Sequence, residues 1–308
     1  MINFVGKRYW YFLLSAIIIV PGVISLIFFG LKLGSDFKGG TDMTLSFTPT
    51  IEQSRLRQEL TTLGYGDAVI QSTSGGDFIV RIKEISSQER QALTDGLTTT
   101  LSSNVTVRDF AVVPAAVASQ TARYAIIAVI VAAIGILLYI TFAFRRVPNP
   151  FRWGTCAVIA MVHDILLVLG IFSILGKFAG VEIDNLFITG MLTVAGYSVH
   201  DTIVVFDRIR ENTIRGVSPD FEKVVNYSIS QTFGRSLNTS LTVIFVLLAL
   251  FLIGGATIHY FTLVLLIGVT TGTYSSICNA SQLLVVWNNR EWGRFIGLKS
   301  KPAEAKAK

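Results

Sequence analysis

Six apolar runs, each about 20 residues long and so able to cross a bilayer's hydrocarbon core, limit what this chain can fold into. They lie at Tyr9 to Gly30, Tyr124 to Phe144, Gly154 to Leu175, Leu186 to Phe206, Arg235 to Ile253 and Tyr260 to Trp287. Hydrophobic residues make up 51% of the chain and charged residues only 15%, which removes it from the ordinary soluble class. The predicted fold class is a polytopic α-helical membrane protein.

Charge sets the expected orientation. The first run follows Lys7 and Arg8, exceeds a signal-peptide core in length and lacks a small-residue cleavage pattern before Lys32, so it reads as an uncleaved signal anchor with a cytoplasmic amino terminus. Six crossings then place Arg145, Arg146 and Arg152, the segment 207–231 and the basic tail on one side. The two short opposite loops carry a single Lys between them, as the positive-inside rule requires. Orientation thus accounts for the formal charge of +6, and nucleic acid is not an expected partner. Cys156 and Cys278, the only cysteines, fall within spans and imply no disulfide framework.

Four regions follow: 1–33, the amino terminus and first span; 34–120, an extracytoplasmic α+β domain; 121–289, five spans with the cytoplasmic segment 207–231; and 290–308, a basic cytoplasmic tail. Within 34–120, Met43, Leu45 and Phe47 alternate as a strand does, and so do Phe78, Val80 and Ile82. Val69 to Thr73 and Val105 to Val113 supply two further strands. Thr50 with Gln53, and Ser86 with Glu89, form potential capping boxes before Leu56, Leu60 and Leu63 and before Leu93, Leu97 and Leu101. Gly75-Gly76 suits a hairpin turn. The order β-α-β-β-α-β is ferredoxin-like, a superfold that does not specify a ligand. With no catalytic triad, metal cluster or phosphate-cradling loop in its sequence, the domain is expected to touch another protein or a polypeptide.

Chemistry concentrates in the spans. The triplet Val-His-Asp occurs at Val162-His163-Asp164 and again at Val199-His200-Asp201, inside otherwise apolar runs. An ionised Asp at the centre of a spanning helix costs roughly 2.5–3.5 kcal/mol, so such residues face a bundle interior or a wet cavity and mark proton or ion paths. Asp201 shares a small, polar face with Tyr197 and Ser198 and lies about 9 Å inside Asp207 by helix rise, too deep for a headgroup position. His163 and Asp164 have a similar depth, where a histidine can also serve only to bond a neighbouring helix. Arg235 aligns with Asn238, Thr239 and Thr242; it either snorkels to the surface or, if its helix begins near Pro219, is carried into the bilayer to pair with Asp201. The seam Gly268, Thr271, Gly272, Ser275, Asn279 and Gln282 on the sixth span reads mainly as packing. Neither aspartate has the Gly-x-Gly-Asp context of an intramembrane aspartyl protease.

Two stretches carry a family resemblance. Asp36-Phe37-Lys38-Gly39-Gly40-Thr41, at the exit of the first span, resembles the Asp-Phe-x-Gly-Gly-Thr signature of the smaller subunits of the SecD/SecF protein-export family. Gly196-Tyr197-Ser198-Val199-His200-Asp201, continuing to Asn212, is similar to that family's fourth-span motif. The resemblance implies an RND-type six-helix half-transporter completed by a SecD partner. It further implies work beside the SecYEG channel, after the SecA motor and with further membrane insertion factors, on unfolded preproteins in the bacterial cytoplasmic membrane. No enzyme activity, cofactor or metal is implied; the proton gradient is the implied drive. Asp201 and Arg235 match residues regarded as the proton path, and His163 with Asp164 fits the same pattern. His200 stands where Asn would serve equally. The alternative is an RND exporter of small molecules or lipids, which would call for larger outer domains than this one.

Overall fold

A computed structural model describes residues 3–73 and 75–292; most of the basic tail expected at 290–308 lies outside the described residues. Six helical spans are present, and they are longer than the apolar runs. A short 3-10 turn leads into α1 (Arg8–Phe29), and a single helical turn, α2 (Ser35–Lys38), follows the membrane exit. The domain then runs β1 (Gly40–Thr48), α3 (Gln53–Thr62), β2 (Val69–Ser72), β3 (Phe78–Ile82), α4 (Ser87–Leu101) and β4 (Asn104–Val113). The remaining spans are α5 (Ala115–Ala143), α6 (Pro150–Phe178), α7 (Asn185–Ile214), α8 (Phe221–Ile253) and α9 (Ala256–Ser275), which continues through a π turn (Ser276–Ala280) into α10 (Ser281–Asn289).

The expected strand and helix order of the domain holds. Its antiparallel sheet has the order β2-β3-β1-β4, with Met43 opposite both Val80 and Phe110. Met43, Leu45 and Phe47 of β1 and Phe78 and Val80 of β3 are buried with Leu56, Leu60, Leu93 and Leu97. Glycine at position 76, in a left-handed conformation, turns the hairpin between β2 and β3. The Ser86 box forms: Glu89 N donates to Ser86 Oγ at 3.3 Å and Ser86 N to Glu89 Oε2 at 2.8 Å. The Thr50 box does not. Helix α3 starts after Glu52, and Gln53, the residue meant to close the box, instead donates its amide to the Ile70 carbonyl of β2 at 2.9 Å.

The signature at the membrane exit is a structural joint. Asp36 Oδ2 accepts the Asn185 amide at 2.8 Å and so satisfies the first turn of α7. Thr41 is buried, and its hydroxyl accepts the Ile85 amide at 3.1 Å. Gly39 has φ +81°, and a Cβ there would meet the Ala115 Cα at 2.9 Å, so only glycine lets α5 begin so close to α2. Gly34 N donates to Ile183 O at 2.8 Å and Ile183 N to Lys32 O at 2.9 Å, tying the same joint to the segment before α7.

The other end of the bundle is also tied. Arg8, one of the two positive residues that set the orientation, is buried; its Nη2 lies 2.8 Å from Glu291 Oε2 and 3.1 Å from Glu222 Oε1. Segment 207–231 is no loop but the ends of two helices joined by a short turn. Asp220 caps α8 by accepting the Glu222 amide, and Asn212 of α7 donates to Ser228 of α8 at 2.8 Å. Within the bundle, glycines permit close crossings: a Cβ on Gly22 of α1 would meet the Gly170 Cα of α6 at 2.8 Å.

Candidate functional site

Helices α1, α6, α7 and α9 bring together a polar core that their spacing only half announces. Asp164 of α6 is completely buried. Its Oδ2 accepts Ser198 Oγ of α7 at 2.5 Å and Ser275 Oγ of α9 at 2.6 Å, and its Oδ1 lies 2.9 Å from His163 Nδ1. The Ser198 and Ser275 hydroxyls and the His163 ring, on three helices, thus converge on one carboxylate.

The imidazole continues the network. His163 Nε2 is 3.0 Å from Asn279 Nδ2, which also donates to Ser15 Oγ of α1 at 3.0 Å, while Ser15 Oγ donates to Asn279 Oδ1 at 3.2 Å. With the amide nitrogen facing the ring, the Nδ1-protonated tautomer of a neutral imidazole accepts at Nε2 and donates to Asp164. The π turn presents both Ser276 and Asn279 inward: Ser276 Oγ lies 2.9 Å from Thr202 Oγ1 of α7. Such turns inside helices frequently mark functional positions.

Asp201, one turn beyond Ser198 on α7, has the opposite environment. It is 6% exposed, and the Ser236 hydroxyl of α8 faces it. Yet neither Asp201 Oδ2 nor Ser236 Oγ finds a hydrogen-bond partner among the described residues. An unpartnered buried carboxylate oxygen is costly.

Arg235 does not pair with Asp201 within this chain. The helix does begin early, at Phe221, so Arg235 is about 21 Å along it by helix rise and inside the membrane span. The rotation of α8 decides the outcome. Ser236 and Ser240 point into the bundle, while Arg235, Asn238, Thr239 and Thr242 form an exposed stripe. Helix α7 adds Thr189, Thr193, Gly196 and His200, also exposed. His200 is therefore on the open face rather than in the core. Tyr197 stays inside the protein and donates to Ser240 at 3.2 Å. Sequence spacing brought His163, Asp164, Ser198 and Asp201 to notice; it treated Ser275 and Asn279 as packing and missed Ser15 and Ser236, whose hydroxyls read from sequence as ordinary helix-seam residues.

Residues 93–290 match the family described as protein export membrane protein SecD/SecF, C-terminal. The chain is 50% identical to protein translocase subunit SecF of Thermobaculum terrenum over 96% of both chains. It is 42% identical to protein translocase subunit SecF of Anaerolinea thermophila over 99% of this chain and all of that one. Among solved structures it is similar to a Thermus SecDF, described as a translocon-associated membrane protein, with a TM-score of 0.82 and 34% identity. That match covers 94% of this chain but spans only 39% of the SecDF chain.

Proposed function

The chain belongs to the SecD/SecF family of protein-export membrane proteins, and from that premise we propose that it is the smaller half of a proton-driven machine that helps polypeptides across a membrane. Its general role is that of an accessory subunit of Sec protein translocation. The finer reading has a SecD partner seated on the α7/α8 stripe and the pair working beside SecYEG after SecA has acted on unfolded preproteins. It also places the chain in the bacterial cytoplasmic membrane with both termini inside, and it needs no enzyme activity, metal or prosthetic group.

The observation that carries this reading is a sealed polar core beside an open polar stripe in one membrane-spanning bundle. A stripe that holds Arg235 and three hydroxyl or amide side chains is costly against lipid. A second helical half seated there removes that cost and supplies the anion that Arg235 lacks among the described residues. Protonation of Asp201 then removes a charge one turn from Ser198, whose hydroxyl holds Asp164, so the charge state of α7 is mechanically connected to its packing on α6 and α9. The joint at Asp36 and Asn185 connects the top of α7 to the outer domain.

The test is export in cells that depend on this subunit. Asp201→Asn keeps the shape and removes the titrating charge, so precursors should accumulate at normal membrane levels of the variant, with the SecD-like partner still co-purifying. Normal precursor clearance would sink the proton-carrier role; failure of a SecD-like protein to co-purify with the wild-type chain would sink the two-subunit reading.

A further inference from the structure

A 440 Å³ apolar crevice lies in the domain-side half of the bundle, between α5 and the pair α6 and α7. It exists because α5 is clamped at two levels with slack between them. At its start Ala118 is buried and Ala115 lies against Gly39. Near its end Ile140 is buried, and Leu137 presses on Gly154, where a Cβ would meet the Leu137 carbonyl oxygen at 2.9 Å. Between the clamps Ala122, Ala125 and Val129 line the crevice together with Ile165, Leu169 and Phe187. A void of this size leaves its lining atoms without dispersion partners, and a carbon-lined cavity does not attract water. The surrounding medium is hydrocarbon, since α5 is the least buried of the six spans.

The rim of the crevice carries charge at headgroup height. Arg123 is exposed and stands in line, at i, i+3 and i+7, with Ile126 and Ile130, which line the crevice. It has no ion-pair partner among the described residues. Phe37 closes the top. Tyr124, whose hydroxyl accepts the Gln120 amide at 3.1 Å, marks the interfacial level, where aromatic residues gather. Partner helices in membranes meet through small and polar residues, as the α7/α8 stripe would. Bulky aliphatic side chains at the crevice mouth have a different character.

We propose that this crevice binds one acyl chain of an anionic phospholipid from the domain-side leaflet, with the lipid phosphate held by Arg123. The bound chain acts as a packing element that supports α5, and it stands apart from the polar core.

The test uses the complex with its partner subunit in nanodiscs that contain phosphatidylglycerol with a photoreactive diazirine midway along one acyl chain. Adducts should concentrate at Ala122 to Ile130 and on α6 near Leu169, well above those at Ile134 and Leu138 on the exposed face of α5. Val129→Trp fills the crevice and should abolish the first set while sparing the second; Ala125→Leu serves the same purpose if the tryptophan variant folds poorly. Arg123→Gln should lower the preference for phosphatidylglycerol over a phosphatidylcholine probe about fivefold, the effect of losing one basic residue at a lipid surface. Adducts spread evenly around α5, or unchanged by Val129→Trp, would reduce the crevice to ordinary annular lipid. Cross-links from its lining to a polypeptide would replace the lipid by a partner segment.

Discussion

Asp164 and Asp201 are both buried carboxylates within membrane spans, yet one is saturated with donors and the other has an oxygen with none. The contrast predicts different responses to the same substitution. Asp164→Asn replaces an acceptor with an NH2 group and sets a donor against Ser198, Ser275 or His163, a loss of about 1–3 kcal/mol that should appear as a lower thermal midpoint in detergent. Asp201→Asn should leave that midpoint close to wild type, because Oδ2 has no bond to lose. The reverse ranking would show that Asp201, not Asp164, is the carboxylate that holds the packing. Sequence could single out both residues, since an acid in an apolar run is conspicuous at any helical phase. It could not place Arg235. One position along a helix is about 100° of rotation, so whether residue 235 or 236 meets Asp201 depends on how Val225, Ile229, Ser236 and Ser240 pack, and α8 has too little amphipathic contrast to reveal it.

At the scale of elements, the two ends of the bundle respond to acid in opposite senses. At the domain-side joint, burial raises the carboxyl groups of Asp42, Glu182 and Asp184 above their ordinary range, with only partial relief from Ser35 and Arg81, from Lys32 and Arg81, and from the Phe187 amide respectively. A folded state that holds protons more tightly than the unfolded one gains stability that is complete below the ordinary carboxyl range and lost as pH rises through the raised values. The Gly34 and Ile183 amides, whose hydrogen bonds close the joint, should therefore exchange more slowly at about pH 5 than at pH 7 once intrinsic rates are corrected; faster exchange would show that repulsion among other charges governs the joint. At the opposite end burial pushes Glu291 up, but hydrogen bonds from Arg8 and Tyr9 and the Arg8 charge outweigh it and hold the carboxyl below its usual range. That contribution is present above the usual range and lost only as pH falls through the lowered value, so mild acid leaves this latch intact. Close helix crossings supply a second test: Gly170→Leu must force α1 from α6 and cost about 1–3 kcal/mol, whereas Gly135→Ala, with open space around its Cβ, should stay within about 0.5 kcal/mol. The elements themselves were legible because period-2 and period-3.6 patterns and the Ser86 box act locally. An early start of α8 near Pro219 was one of the two readings the sequence allowed; the hairpin of α7 and α8 beyond the membrane and the π turn were hidden, since each depends on bonds between distant residues such as Asn212 with Ser228 and Ser276 with Thr202.

If the chain works as the proposed proton-driven half, the decisive quantity for the whole molecule is the energy that a proton can deliver to two packed halves. At an assumed potential of about 150 mV one proton carries roughly 3.5 kcal/mol, while driving a two-state element from 1:99 to 99:1 takes about 5.5 kcal/mol. Two protons, or one with a pH gradient, suffice for a cycle, provided a second half is present to move against. Sequence alone could not mark the surface for that half, because a polar stripe that faces a partner reads the same as one that faces its own bundle; only the exposure of Arg235, Asn238, Thr239 and Thr242 separates the two cases. The separation has a direct test. A photo-cross-linking residue at Thr239 of α8 or Thr193 of α7 should join this chain to its SecD-like partner, and one at Leu138 on the exposed face of α5 should not. Arg235→Met should lower the amount of partner retained in mild detergent, since removing one member of a buried charge pair costs about 3–5 kcal/mol, whereas Asp201→Asn should retain the partner and lose only coupling. Cross-links from Leu138 but not from Thr239 or Thr193 would move the interface to α5. Full partner retention in Arg235→Met would mean that the guanidinium snorkels to the membrane surface and that some other group balances the charge within the assembled pair.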